Sequence, residues 1–233
     1  MTTADLQYLN EFSVSRAETG FLTWGVRKFT VADSKGTNLF IAKRSTFNEL
    51  LGVGIIFLLF LLLIMPRSIP LFAVLIFIAL IYISAAFAST RKMKMVVSSN
   101  SFDSVLFNIV PEKTFLSLRN RYYVTDRNGM RIGRVVKISP FKMIWNLEDL
   151  SGKLLVRMRR KKFWNFDLMD ASEINLIGKV DGSDIFDLLQ AKGKFAFRLT
   201  EESTKGIDRR LVIGLALALA DFSVRIRNRL SLS

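Results

Sequence analysis

Cysteine and histidine are both absent from the 233 residues of this chain. Their absence excludes disulfides, thiol nucleophiles, S-acylation, zinc sites of the usual Cys/His kind and histidine-based general acid–base catalysis. No spacing of Ser, Lys or carboxylate side chains singles out a catalytic group, so no enzyme, catalytic residue, metal or cofactor is expected. The first twenty residues hold no apolar h-region. A cleaved signal peptide is therefore not expected, and the first long apolar run could itself serve as the insertion signal. The net charge of +14 comes without a recognition motif or a basic face interleaved with aromatics, which argues against a nucleic-acid partner.

What the chain does have is two long apolar runs. Leu50–Met65 holds sixteen residues and Ile69–Ala88 holds twenty, all uncharged, with only Pro66, Arg67 and Ser68 between them. A bilayer core about 30 Å thick needs roughly 20 apolar residues in a helix, so the runs read as a two-helix transmembrane hairpin that enters and leaves on one side. The charge is placed accordingly. Met1 to Ala88 carries seven Lys/Arg against five Asp/Glu, whereas Ser89 to Lys162 carries seventeen against five. Lys43, Arg44, Arg91, Lys92 and Lys94 flank the runs as membrane-interface residues, and the positive-inside bias puts both termini in the cytoplasm. The expected localisation is an integral membrane protein with two spans.

Outside the runs one hairpin unit recurs. Phe29, Val31, Asp33, Gly36 and Leu39 are matched 93 residues later by Tyr122, Val124, Asp126, Gly129 and Ile132. A third copy centres on Asp149 and Gly152, and a looser fourth on Asp170. Asp at a strand end can bond backbone amides two residues on, and Gly three residues later supplies the positive φ that lets a second strand return. The same position in each unit makes these Asp residues turn formers rather than catalytic or metal groups. Repetition argues for a closed or nearly closed antiparallel sheet, because one hairpin cannot bury its own apolar face. Near the end, a helix start is expected at Ser183 and Asp184, and a strand over Lys194–Leu199. Leu211–Ala220 is apolar all round yet only about 15 Å long as a helix, half of a span. Such a helix belongs inside a barrel, with a third membrane segment as the alternative.

This ordered set, from Phe115–Gly129 through the later repeats to the closing run Asp208–Asp221, resembles the tubby C-terminal-like superfamily, nearest its phospholipid scramblase and LURP-one-related branch. The resemblance covers roughly residues 12–44 and 100–228. It implies a twelve-stranded antiparallel barrel around a central hydrophobic helix, with phosphoinositide binding in tubby proteins and calcium-dependent lipid movement in scramblases. The chain departs from scramblases in lacking their cysteine cluster and proline-rich segment. Glu201, Glu202 and Asp208 stand where scramblases carry an acidic calcium-associated loop, without a matching spacing, so they read as a calcium site or a solvated acidic loop.

The expected fold class is mainly β plus membrane helices: a tubby-like barrel interrupted by a two-helix transmembrane hairpin. Its parts are an N-terminal segment 1–20, a first barrel hairpin 21–46, the membrane hairpin 47–90, the remaining barrel 100–208 and a buried C-terminal helix 209–228. The densest basic stretch is Arg157, Arg159, Arg160, Lys161 and Lys162, followed by Phe163 and Trp164. Alternation puts Arg157, Arg159 and Lys161 on one strand face and Val156, Met158 and Arg160 on the other. That face reads either as a lipid-headgroup site beside an interfacial Trp164 or as a solvated strand that resists edge pairing. The function expected is non-enzymatic binding of anionic phospholipid headgroups at the cytoplasmic membrane face. Alternatives are an assembly factor docking a membrane protein partner, a phospholipid scramblase, or a PH-like barrel whose closing helix would show a solvent-exposed face.

Overall fold

Asp33, Asp126 and Asp170 end strands, Asp149 directly follows one, and each accepts hydrogen bonds from the residues that follow. Asp33 Oδ1 accepts from the amides of Lys35 (2.9 Å) and Thr37 (2.8 Å), and Asp126 Oδ1 from those of Asn128 (2.9 Å) and Met130 (2.8 Å). Asp149 Oδ1 accepts from the Lys153 amide and the Ser151 hydroxyl. Gly36, Gly129 and Gly152 follow at φ of +84°, +86° and +87°, a region that costs a side chain and not glycine. These turns set the hairpins of the barrel.

The computed structural model describes residues 6, 9–17, 26–45, 76, 94–99, 104–112, 121–139, 142–182, 193–200 and 206–230. Twelve strands run in order: β1 (Glu11–Arg16), β2 (Val26–Asp33), β3 (Asn38–Ser45), β4 (Met95–Ser99), β5 (Val105–Pro111), β6 (Arg121–Asp126), β7 (Arg131–Lys137), β8 (Ile144–Glu148), β9 (Leu154–Lys162), β10 (Asn165–Asp170), β11 (Leu176–Gly182) and β12 (Lys194–Leu199). A helix, α1 (Arg209–Leu230), follows. Each strand pairs with its neighbours in sequence, and β1 pairs with β12 to close the barrel. Phe12 lies opposite Phe197 in that seam, the two rings stacked 5.0 Å apart. The N-terminal segment 1–20 thus supplies β1, the strand that closes the sheet.

Alternate side chains of every strand point inward, among them Phe29, Val31, Phe107, Val124, Trp145, Leu147, Met158, Phe166, Leu168 and Phe197, all buried. Inside them lies α1, whose Leu211 to Ala220 are buried on every side. The polar backbone of the helix is satisfied internally, and its apolar exterior fills what an empty twelve-stranded lumen would leave open. Asp208 caps the helix, accepting from the Arg210 amide at 2.9 Å. With no exposed face on Leu211–Ala220, the PH-like arrangement does not describe this chain.

One part of the expected fold class is corrected. Among the described residues no helix is long and apolar enough to cross a membrane. Residues 50–65 and 69–88, which carried the two-helix transmembrane hairpin, lie outside the described residues, except Ile76, which is helical and exposed. An apolar run fixes composition, whereas a span requires a continuous helix of roughly 20 residues; the described apolar helix is enclosed by the barrel instead. The integral membrane localisation, with two spans and both termini cytoplasmic, falls with the hairpin. The chain divides into two compact units: Met1–Glu18, Lys28–Lys43 and Met95–Ser233 carry most of the barrel, and Thr19–Arg27 with Arg44–Lys94 form the second. The expected helix at Ser183 and Asp184 lies outside the described residues.

Candidate functional site on strand β9

Among the described residues strand β9 is the longest of the barrel, and its second half is where cations gather. Val156 and Met158 point into the core, while Arg159, Arg160, Lys161 and Lys162 are exposed and Arg157 is half-buried. Strand alternation accounts for Arg157, Arg159 and Lys161 on the outer face. Arg160 was expected on the inner face with Val156 and Met158. It pairs across the strands with buried Phe166, on the same face as Met158, yet it stands exposed at the strand end. The β9–β10 register shifts just beyond it, pairing Lys162 with Asn165, and four consecutive cations, Arg159 to Lys162, reach solvent.

The charges on this face divide into two groups. Toward the β10–β11 turn, Glu173 bridges both guanidiniums, with Oε1 on Arg157 Nη1 and Oε2 on Arg159 Nη2. Arg157 also donates from Nε to Asn146 Oδ1 at 3.2 Å, its cross-strand neighbour on β8. Sequence alternation did not reveal that acid, because Glu173 reaches β9 only through the register of the next hairpin. Toward the β9–β10 turn, Lys161 Nζ lies 4.0 Å from Asp167 Oδ2, a loose exposed pair of little worth. Arg160 donates from Nε to the carbonyl of Phe163, and Lys162 Nζ sits 5.7 Å over the Phe163 ring. Among the described residues neither Arg160 nor Lys162 has a carboxylate partner. Five cations face two acids, leaving a local excess of positive charge at the strand end.

Phe163 occupies the turn with φ +47° and 62 % of its surface exposed. Its neighbour Trp164, expected at a membrane interface, instead packs inward, edge-on to Phe166 and Phe195 with centroids 6.4 and 5.9 Å away. Phe163 is the aromatic that faces solvent, and sequence reasoning passed over it in favour of the larger ring. Lys43 and Lys94 are exposed, whereas Arg44 is only 5 % exposed. Arg91 and Lys92 lie outside the described residues.

At the opposite end of the barrel stand the four aspartate turns. Asp170 is the most heavily bonded: the Ser172 hydroxyl at 2.7 Å, the Asn175 side-chain amide at 2.7 Å and the amides of Ile174 and Asn175 all donate to it. Those bonds, led by the Ser172 hydroxyl, lower its pKa to about 2. Its oxygens are committed to the turn. Asp208 is committed to Arg210, whose Nη2 lies 2.6 Å from Oδ2, and Glu201 and Glu202 lie outside the described residues. Among the described residues no three His, Cys, Asp or Glu side chains gather in a way that could hold a metal ion.

No family model, no curated protein and no solved structure matches the chain.

Proposed function

We propose that this barrel binds anionic phospholipid headgroups peripherally and without catalysis, through the basic end of β9. The observation that carries the reading is the exposed strand end itself: Arg160, Lys161 and Lys162 beside Phe163, at the β9–β10 turn. A closed barrel around a hydrophobic helix also supports kinship with tubby-like proteins, proposed on that architecture and on the sequence pattern.

The magnitudes favour a weak, reversible contact. About 1 kcal/mol per Lys or Arg at an anionic surface gives about 3 kcal/mol for three net charges. Burying the exposed Phe163 ring adds about 1–2 kcal/mol. The sum is close to that of a single short acyl anchor, so residence at a membrane requires anionic lipid and low to moderate salt.

The test is cosedimentation of the full chain with phosphatidylcholine vesicles with and without phosphatidylserine. Binding is expected only with phosphatidylserine, falling with salt, and the combined Arg160→Ser, Lys161→Ser, Lys162→Ser variant is expected to lose it. A native chain that ignores both vesicles, or a variant that binds as well as native, refutes the reading. An assembly role is the second reading, favoured by Met130, Leu150 and Ile174. These side chains are 69 %, 67 % and 78 % exposed on neighbouring turns at the far end of the barrel, where a protein partner would cover them.

A further inference from the structure

Four hairpin turns share one chemistry, and the fourth departs from it at a single position. Gly36, Gly129 and Gly152 stand three residues after their aspartates with positive φ; after Asp170 the same place is taken by Glu173, at φ +62°. Glycine is the unstrained residue there, and a side chain in this region is disfavoured. Strained positions persist where the surroundings hold them, and they cluster at ligand clamps and switches.

Glu173 is held through its carboxylate. One oxygen meets Arg157 and the other meets Arg159, so two guanidiniums converge on one oxyanion. Asn146 independently positions Arg157 through Nε, and the aspartate bonds hold the turn without help from the Glu173 side chain. The two arginines therefore keep their place, and the turn keeps its shape, when the carboxylate swings away. Two guanidinium forks suit a phosphate group, whose several oxygens can accept from both at once.

We infer that Arg157 and Arg159 form a phosphate-monoester site that Glu173 occupies from within the chain, so that a ligand enters by displacing Glu173. The inference rests on reading β9 as an anion-binding face. A monoester dianion carries twice the charge of the carboxylate it replaces, whereas a diester carries one charge and fewer free oxygens. The site therefore prefers monoesters, either free in solution or at the end of a lipid headgroup.

Calorimetric titration of the full chain with inorganic phosphate tests this. Glu173→Gly and Glu173→Gln are both expected to bind about tenfold more tightly than native, the scale of two part-exposed ion pairs lost to a competitor. Adding Arg157→Ser or Arg159→Ser to Glu173→Gly is expected to abolish the gain. Vesicles containing phosphatidic acid distinguish the source: a parallel gain there assigns a lipid monoester, and a gain confined to inorganic phosphate assigns a soluble one. The inference is overturned if neither variant gains, or if the gain survives loss of the arginines. It is also overturned if only Glu173→Gly gains, since Glu173→Gln removes the charge while keeping the strained backbone. A native chain that ignores phosphatidylserine vesicles while both Glu173 variants gain phosphate affinity refutes the membrane reading alone. The reverse pattern refutes the displacement alone.

Discussion

Gly214 of α1 lies directly against Val124 of the barrel wall, and alanine at this position sets two effects of similar size against each other. In a helix interior, Gly to Ala is favourable by about 1 kcal/mol. Here the added methyl would stand 2.8 Å from Val124 Cγ2, with Val135 Cγ2 at 3.9 Å. Carbon atoms prefer about 3.5–4.0 Å, and Val124 is fully buried in β6, so relief requires a shift of the wall or the helix. Overpacking of this kind costs about 1–3 kcal/mol. Sterics outweigh propensity, and Gly214→Ala is expected to lose about 1 kcal/mol, lowering the midpoint by about 2–4 °C for a chain of this size. Val124→Ala alone is expected to lose about 2 kcal/mol, from two buried methyl groups and the void they leave. Together the new methyl moves into that void, so the double variant is expected to be about 1 kcal/mol more stable than the sum of the singles. Urea denaturation of the four proteins measures the coupling. A Gly214→Ala chain more stable than native, or additivity within about 0.5 kcal/mol, would mean that α1 does not pack against β6 as described.

Two further outcomes follow from the turns. Gly129 has φ +86° and nothing within 4 Å of where a methyl would stand, so Gly129→Ala meets backbone strain alone and is expected to lose about 1 kcal/mol in urea denaturation; a neutral result refutes the turn assignment. Asp170, with its pKa lowered to about 2 mainly by the Ser172 hydroxyl, stabilises the fold above the ordinary carboxylate range, and that contribution is lost as pH falls through about 2. The stability gap between native and Asp170→Asn is therefore expected to be full near neutrality and to close in strong acid, and a gap independent of pH refutes it.

Much of the barrel was legible because its signals are local. Asp33 with Gly36, Asp126 with Gly129 and Asp149 with Gly152 report turns whose bonds close within four residues, and Leu211–Ala220 reports a helix with no face to show water. The seam was not legible: Phe12 on Phe197 joins strands far apart in the chain, and nothing near Glu11–Arg16 announces its partner. The site divides in the same way. Alternation placed Arg157, Arg159 and Lys161 outward, but it could not see that Arg160 stands exposed at the strand end or that the acid at 173 spans two arginines. The second depends on register between strands. The two-helix hairpin was read from composition alone, and among the described residues no helix is long and apolar enough to cross a membrane.

Closure of the sheet through β1 and β12 has a kinetic consequence. Glu11 cannot meet Arg198, its partner in the seam, until nearly two hundred residues have left the ribosome. The helix that fills the lumen is made later still. Hairpins β6–β7, β8–β9 and β10–β11 can form early, since their pairings are local, but they must wait with Val124, Trp145, Met158 and Phe166 uncovered. Chains dominated by such distant contacts fold slowly and expose strand edges meanwhile. Pairing of β12 with β1 closes the sheet, and only the synthesis of α1 then covers the apolar side chains that line it.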